Sequence, residues 1–196
     1  MKKSILKLTL PMLFVLFAIC MQAEVPTIHV FMYGKVDKVE ATRYVSLIHK
    51  YYAHVKLESK CLTLPKSAFY APRKRYLAYT ILKEQYKVCP KGDYVIGLTD
   101  KDISMNRLSK GKQVNWGIMG LTDYIGGHSC VISSYRVKNK EDLPYLMLHE
   151  LGHAFGLKHC TNKCLMQDAQ GKNKFGYLRT FCPLCKATLK AKGWKI

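Results

Sequence analysis

Residues 149–159 read HELGHAFGLKH. His149 and His153 are four positions apart, which on a helix stacks them on one face, so both rings can reach the same metal ion. Glu150 then sits one step round, beside that ion and not on it. Gly156 tolerates a positive φ, so the chain can leave the helix there and bring His159 back as a third ligand. Three imidazoles leave one tetrahedral position for a water whose pKa zinc lowers to about 7, and a nearby carboxylate can take its proton and pass it to a leaving amine. The HExxHxxGxxH spacing therefore points to metallopeptidase chemistry, with Glu150 as the base. An amphipathic helix with ordinary core histidines is the competing reading, and it suits one histidine better than three at this spacing.

A second group of possible ligands follows at once. Cys160 and Cys164 form a C-x3-C pair, and Cys182-Pro183-Leu184-Cys185 forms a C-x2-C pair. Four thiolates so grouped suit a tetrahedral structural zinc, and two disulfides would staple the same segments in an oxidising compartment. Zinc is the preferred reading, because the second pair has metal-knuckle spacing and Cys160 directly follows a histidine ligand. Cys61, Cys89 and Cys130 are then left as structural thiols.

These residues need a frame to hold them. Residues 26–33 read as a strand, and Ala41, Tyr44, Val45, Ile48 and Tyr52 recur at helical spacing to about residue 53. A strand near 54–59 follows, then a helix over 73–87 in which Leu77, Ala78, Ile81 and Leu82 face a core, then a short buried strand over 94–98. Such alternation predicts an α/β (α+β) architecture, a mixed twisted sheet with packed helices. Glycines at 117, 120, 126 and 127 divide two β-like runs, 114–121 and 129–137. They suggest a hairpin or edge strand just before the zinc helix. An exposed edge at 128–134 would hold an extended peptide by main-chain hydrogen bonds, and an interior strand fits that segment equally well.

The chain opens with Lys2, Lys3 and Lys7 ahead of an uncharged run from Leu8 to Cys20, the pattern of a secretory signal peptide. Residues 1–23 are read as that leader and export as its consequence, periplasmic or extracellular. Lipoprotein anchoring at Cys20 is the lesser reading, since Ile19 before it is bulkier than such sites usually carry. Residues 24–196 make one expected domain, divided into a sheet-and-helix part to residue 159 and a small Cys-rich part from 160. The formal charge of +19 becomes +16 without the three leader lysines. Such a surface attracts anionic partners through screened fields, although plain solubility also explains it. The basic residues are scattered and no groove-reading motif accompanies them, which argues against specific nucleic-acid binding. A monomer is expected.

HELGHAFGLKHC, Cys164-Leu165-Met166 and Cys182-Pro183-Leu184-Cys185 together resemble the archaemetzincins, a branch of the metzincin zinc peptidases. The likeness extends upstream through Leu64-Pro65, Ala68, Tyr70, Arg73 and Tyr76, then the segment from Val95 to Asp102, so that it covers roughly residues 27–188. It implies a compact metzincin-like domain in which His149, His153 and His159 bind catalytic zinc. It also implies Glu150 as base, Met166 as the methionine beneath the site, and Cys160, Cys164, Cys182 and Cys185 on a structural zinc. The chain departs from the family in its export signal and in having three residues between Cys160 and Cys164 where four are usual. Where other metzincins often carry an oxyanion-stabilising tyrosine, two residues after the methionine, it has Asp168; Tyr177 is the substitute candidate.

Three functions compete. The first is a zinc-dependent peptidase, and the second an exported basic zinc-binding protein with little hydrolytic activity that engages an anionic partner. The third, an amidase on cell-wall peptides, shares the chemistry of the first.

Overall fold

The β1 segment Ile28–Tyr33 is buried along its whole length, which requires a sheet covered on both faces. Its side chains alternate accordingly. Ile28, Val30 and Met32 enter one apolar cluster, while Phe31 and Tyr33 enter another. A computed structural model describes residues 25–169 and 173–196. The leader read over residues 1–23, with Cys20, lies outside them.

From β1 the chain passes through α1 (Lys38–His49), capped by Asp37 accepting from the Glu40 N–H at 2.9 Å, into β2 (Val55–Leu62), parallel to β1. The centre of the sheet is built from β1, β5 (Tyr94–Thr99) and β9 (Ser129–Ser133), all parallel. A short strand, β8 (Gly120–Thr122), runs antiparallel to β9 and ends the order β2-β1-β5-β9-β8. Segment 128–134 is thus interior. The sheet's edge lies at β8, because β9 pairs with β5 on one side and β8 on the other.

A smaller sheet comprises β3 (Phe69–Tyr70), β4 (Arg75–Leu77), β6 (Ile103–Ser109) and β7 (Lys112–Ile118) in the order β3-β4-β6-β7. The helix expected over 73–87 does not form over that whole span. Lys74 takes a left-handed turn at φ 50°, residues 75–77 form β4, and only Ala78–Gln85 are helical, as α2. Tyr76 and Leu77 pair with Ile103 and Ser104, so a contact distant in sequence overrides the local periodicity. The run expected over 114–121 likewise divides, with β7 in the small sheet and β8 in the large one.

Two more helices, α3 (Leu143–Ala154) and α4 (Pro183–Lys190), complete the frame. Apart from Tyr145, every residue of α3 is buried, as an apolar helix inserted between layers must be. It shares its cluster with Ile96 and Ile132 of the sheet, Tyr44 and Ile48 of α1, and Met166, Cys182, Leu189 and Trp194 from the C-terminal part. Among the described residues no helix is long and apolar enough to cross a membrane.

Candidate metal centre and its cleft

His149 and His153 lie one turn apart near the end of α3, with their Nε2 atoms 3.2 Å apart. Each ring is fixed from behind. Leu165 O lies 2.8 Å from His149 Nδ1, and Leu157 O lies 2.8 Å from His153 Nδ1. Carbonyl oxygens only accept, so both Nδ1 atoms carry the proton and both Nε2 lone pairs point forward. Burial pushes the His149 imidazole down to about 4 and lowers His153 as well, which keeps both rings neutral, as ligation requires.

Gly156 takes φ 95°, as the motif demanded, and the chain turns back. His159 arrives with its ring centroid 4.7 Å from that of His153, and the ligating atoms of the three histidines all lie within 4.8 Å of one another. Tetrahedral nitrogen ligands about 2.05 Å from zinc stand roughly 3.3 Å apart, so the His149–His153 pair already has a suitable spacing.

Met166 is fully buried under α3. A Cβ at Gly152 would come within 2.5 Å of Met166 Sδ, so the glycine inside HELGH is what lets the methionine lie against the helix.

Glu150 lies one step round the helix from His149 and lines the same cleft. Its carboxylate is buried against β8, where a Cβ at Gly120 would stand 2.7 Å from Oε1. Thr122 Oγ1 lies 2.7 Å from Oε2 and 2.9 Å from the Glu150 main-chain oxygen. Burial raises the Glu150 carboxyl, and His153 and the Thr122 hydrogen bond oppose that rise. The sequence had marked Gly120 only as a break between two β-like runs, and Thr122 not at all. Their distance in sequence from the motif leaves no local signal.

A cleft of about 1430 Å³ opens in front of Glu150, His149, His153 and His159. Asp168 lines it, and Tyr177 does not. Tyr177 is 72 % exposed, so the substitute proposed for the missing tyrosine is not brought to the site.

Behind His159 the four cysteines converge. Cys160 Sγ lies 3.7 Å from Cys182 Sγ, and Cys164 Sγ 3.8 Å from Cys185 Sγ. Four sulfurs about 2.3 Å from one zinc ion would stand roughly 3.8 Å apart, whereas a disulfide bond is about 2.05 Å. The spacing fits the metal. The Cys182 N–H donates to Cys164 Sγ at 3.1 Å, the kind of contact that settles a thiolate. Burial would raise Cys182, yet hydrogen bonds from the Cys185 N–H, Asn162 and neighbouring thiols bring it down to about 6.

Cys130 is buried and stands 3.6 Å from the Glu150 carbonyl, while Cys61 is exposed and Cys89 intermediate. No disulfide joins any of the described cysteines.

Known proteins are similar to this chain in sequence and in fold. Residues 140–191 match Peptidase family M54. The archaemetzincin of Nanoarchaeum equitans is 33 % identical over 115 residues, covering 57 % of this chain and 60 % of that one. That of Methanopyrus kandleri is 30 % identical over 131 residues, covering 63 % and 70 %. The chain thus spans less than two thirds of the first relative and somewhat more of the second. The crystal structure of the Methanopyrus kandleri archaemetzincin superposes with a TM-score of 0.70 at 24 % identity, over 86 % of this chain and 96 % of that one. A zinc-dependent peptidase from Methanocorpusculum labreanum gives 0.68 at 19 %, over 83 % and 99 %. At such identities these two structures establish the fold, and the sequence relatives establish the lineage: the chain belongs to the archaemetzincins.

Proposed function

We propose that the protein is a zinc-dependent metallopeptidase in which His149, His153 and His159 hold the catalytic ion and Glu150 is the general base. The observation that carries this reading is the pair of forward-facing Nε2 atoms 3.2 Å apart, opening with the Glu150 carboxylate onto one cleft. Zinc held there would act as a Lewis acid on a substrate carbonyl and would lower the pKa of water to about 7. The protein's own part is proton transfer and placement. The Glu150 carboxylate accepts a proton from the attacking water, and the same group returns it to the amide nitrogen as the C–N bond breaks. Thr122 holds one carboxylate oxygen, and the other packs against Gly120, which also lines the cleft. The outer edge of β8 offers main-chain groups to an extended peptide, and Gly120 lets that strand lie close against Glu150. Family membership favours this reading over a zinc protein that only binds an anionic partner.

Cys160, Cys164, Cys182 and Cys185 are proposed to hold a second, structural zinc, supported by sulfur spacings of 3.7 and 3.8 Å. Export of the mature chain rests on the leader pattern alone. The mass of the mature N-terminus from a producing cell tests it.

Digestion of a diverse peptide library by the zinc-loaded protein tests the central claim, beside Glu150→Ala. The parent cleaves; the variant retains its zinc by elemental analysis and does not. Equal cleavage by both would remove Glu150 from the mechanism, and no cleavage by either would remove the peptidase.

A further inference from the structure

The cleft is basic along the small sheet and the segment that follows β9. Arg73, Arg75, Arg107, Arg136 and Lys138 all line it. Two of these arginines are held in a fixed arrangement by one carboxylate. Asp102, 10 % exposed, accepts from Arg75 Nε at 2.9 Å, and from Arg136 Nε and Nη2 at 2.7 Å each. Arg75 reaches the Asn115 side-chain oxygen at 3.5 Å, and the Arg136 guanidinium lies where a Cβ at Gly117 would stand. One carboxylate neutralises one of the two guanidinium groups. The pair therefore keeps a net positive charge and, among the described residues, N–H donors without an acceptor.

This pair is close to the chemistry. Gly117 touches Arg136 and Gly120 touches Glu150, and three extended residues span at most about 10 Å. An extended peptide with its scissile bond at Glu150 would place a side chain two or three positions away, or its own C-terminus, beside Arg136.

Resting on the peptidase reading above, the geometry points to a carboxylate subsite: Arg136 and Arg75, clamped by Asp102, select peptides carrying a carboxylate a few residues from the bond to be cleaved. A planar, pre-set guanidinium meets a carboxylate through two parallel hydrogen bonds, and the fixed partner removes most of the ordering cost. The bulk charge of the chain would attract acids anywhere. The clamp makes the preference local.

Matched amidated peptides, differing only by Asp or Asn or by Glu or Gln at successive positions, separate one source of carboxylate. A neutral peptide with a free or amidated C-terminus separates the other. Binding is measured first, by fluorescence anisotropy on zinc-loaded protein carrying Glu150→Ala, and cleavage second on the zinc-loaded protein with Glu150 intact. The expected result is a preference of roughly ten-fold or more for one acid over its amide partner at a defined position. Arg136→Gln should bring that ratio close to one. Lys50→Gln, which removes the same charge outside the cleft, should leave it intact. Equal binding of acids and amides by the parent would overturn the subsite, as would a Lys50→Gln effect as large as that of Arg136→Gln. Arg136→Lys gives a second reading, because it keeps the charge and loses the paired hydrogen bonds; a full preference in that variant would also overturn it. Acid-selective binding without cleavage would sink the peptidase reading alone, and cleavage without acid selection the subsite alone.

Discussion

Thr122 shows how much of the proposed catalysis depends on a residue outside the motif. Its hydroxyl, 2.7 Å from Glu150 Oε2, is the contact by which the sheet orients the proposed base. Thr122→Val keeps the shape and removes the hydroxyl, so kcat should fall roughly ten-fold with KM little changed, and Thr122→Ser should restore most of the loss. Equal kinetics for the valine variant would show that Glu150 needs no such support. Gly152 carries a second prediction. An alanine there meets Met166 Sδ at 2.5 Å, and overpacking of this kind costs about 1–3 kcal/mol, visible as a lowered unfolding midpoint. The histidines and Glu150 were legible because their spacing is local and a helix converts it directly into geometry. Thr122, Gly120 and the Asp102 clamp were not, since they reach the site only after distant strands pair.

Among the elements, the parallel strands β1, β2 and β5 are tied together at one end by His29. Its Nδ1 lies 2.7 Å from Glu58 on β2, and its Nε2 2.7 Å from Asp93, just ahead of β5. Burial alone would raise Glu58, but hydrogen bonds from His29 and Lys56 outweigh it and lower the carboxyl below 4.5. Burial would likewise raise Asp93, and the Thr27 N–H with His29 lowers it below 3.8. Both are depressed on folding, so their stabilisation is present above the unfolded values and disappears as the pH falls through the folded ones. Stability should therefore decline below about pH 4.5, and Glu58→Gln should flatten part of that slope in chemical denaturation at graded pH. An unchanged slope would mean that the bridge contributes nothing to strand association. The main strands were readable from continuous apolar runs. The helix assigned to 73–87 failed at its start because the pairing of Tyr76 with Ile103 has no local signature, and β6, exposed along much of its length, has no apolar alternation to reveal it.

At the scale of the whole molecule, the C-terminal part is continuous with the rest, with Met166, Cys182, Cys185 and Trp194 in the same apolar cluster as α3 and the large sheet. One consequence concerns how metal would enter. His159 and Cys160 are adjacent in the chain, so the last ligand of one candidate centre is joined covalently to the first of the other. His149 and His153 each have a carbonyl behind the ring; His159 has no such hydrogen bond among the described residues and depends on its backbone, which the Cys160 N–H pins to Met166 O at 2.8 Å. An ion filling the cysteine centre would thus pre-order the exposed histidine, and two such ions should bind cooperatively. Because such linkage is reciprocal, Cys185→Ser should weaken zinc uptake at the histidines by the same factor as His149→Ala weakens it at the cysteines, in competitive chelator titrations. Independent affinities would show two centres that merely share a chain; matched ones would make the turn at residues 159–160 a thermodynamic relay between a structural ion and a working one.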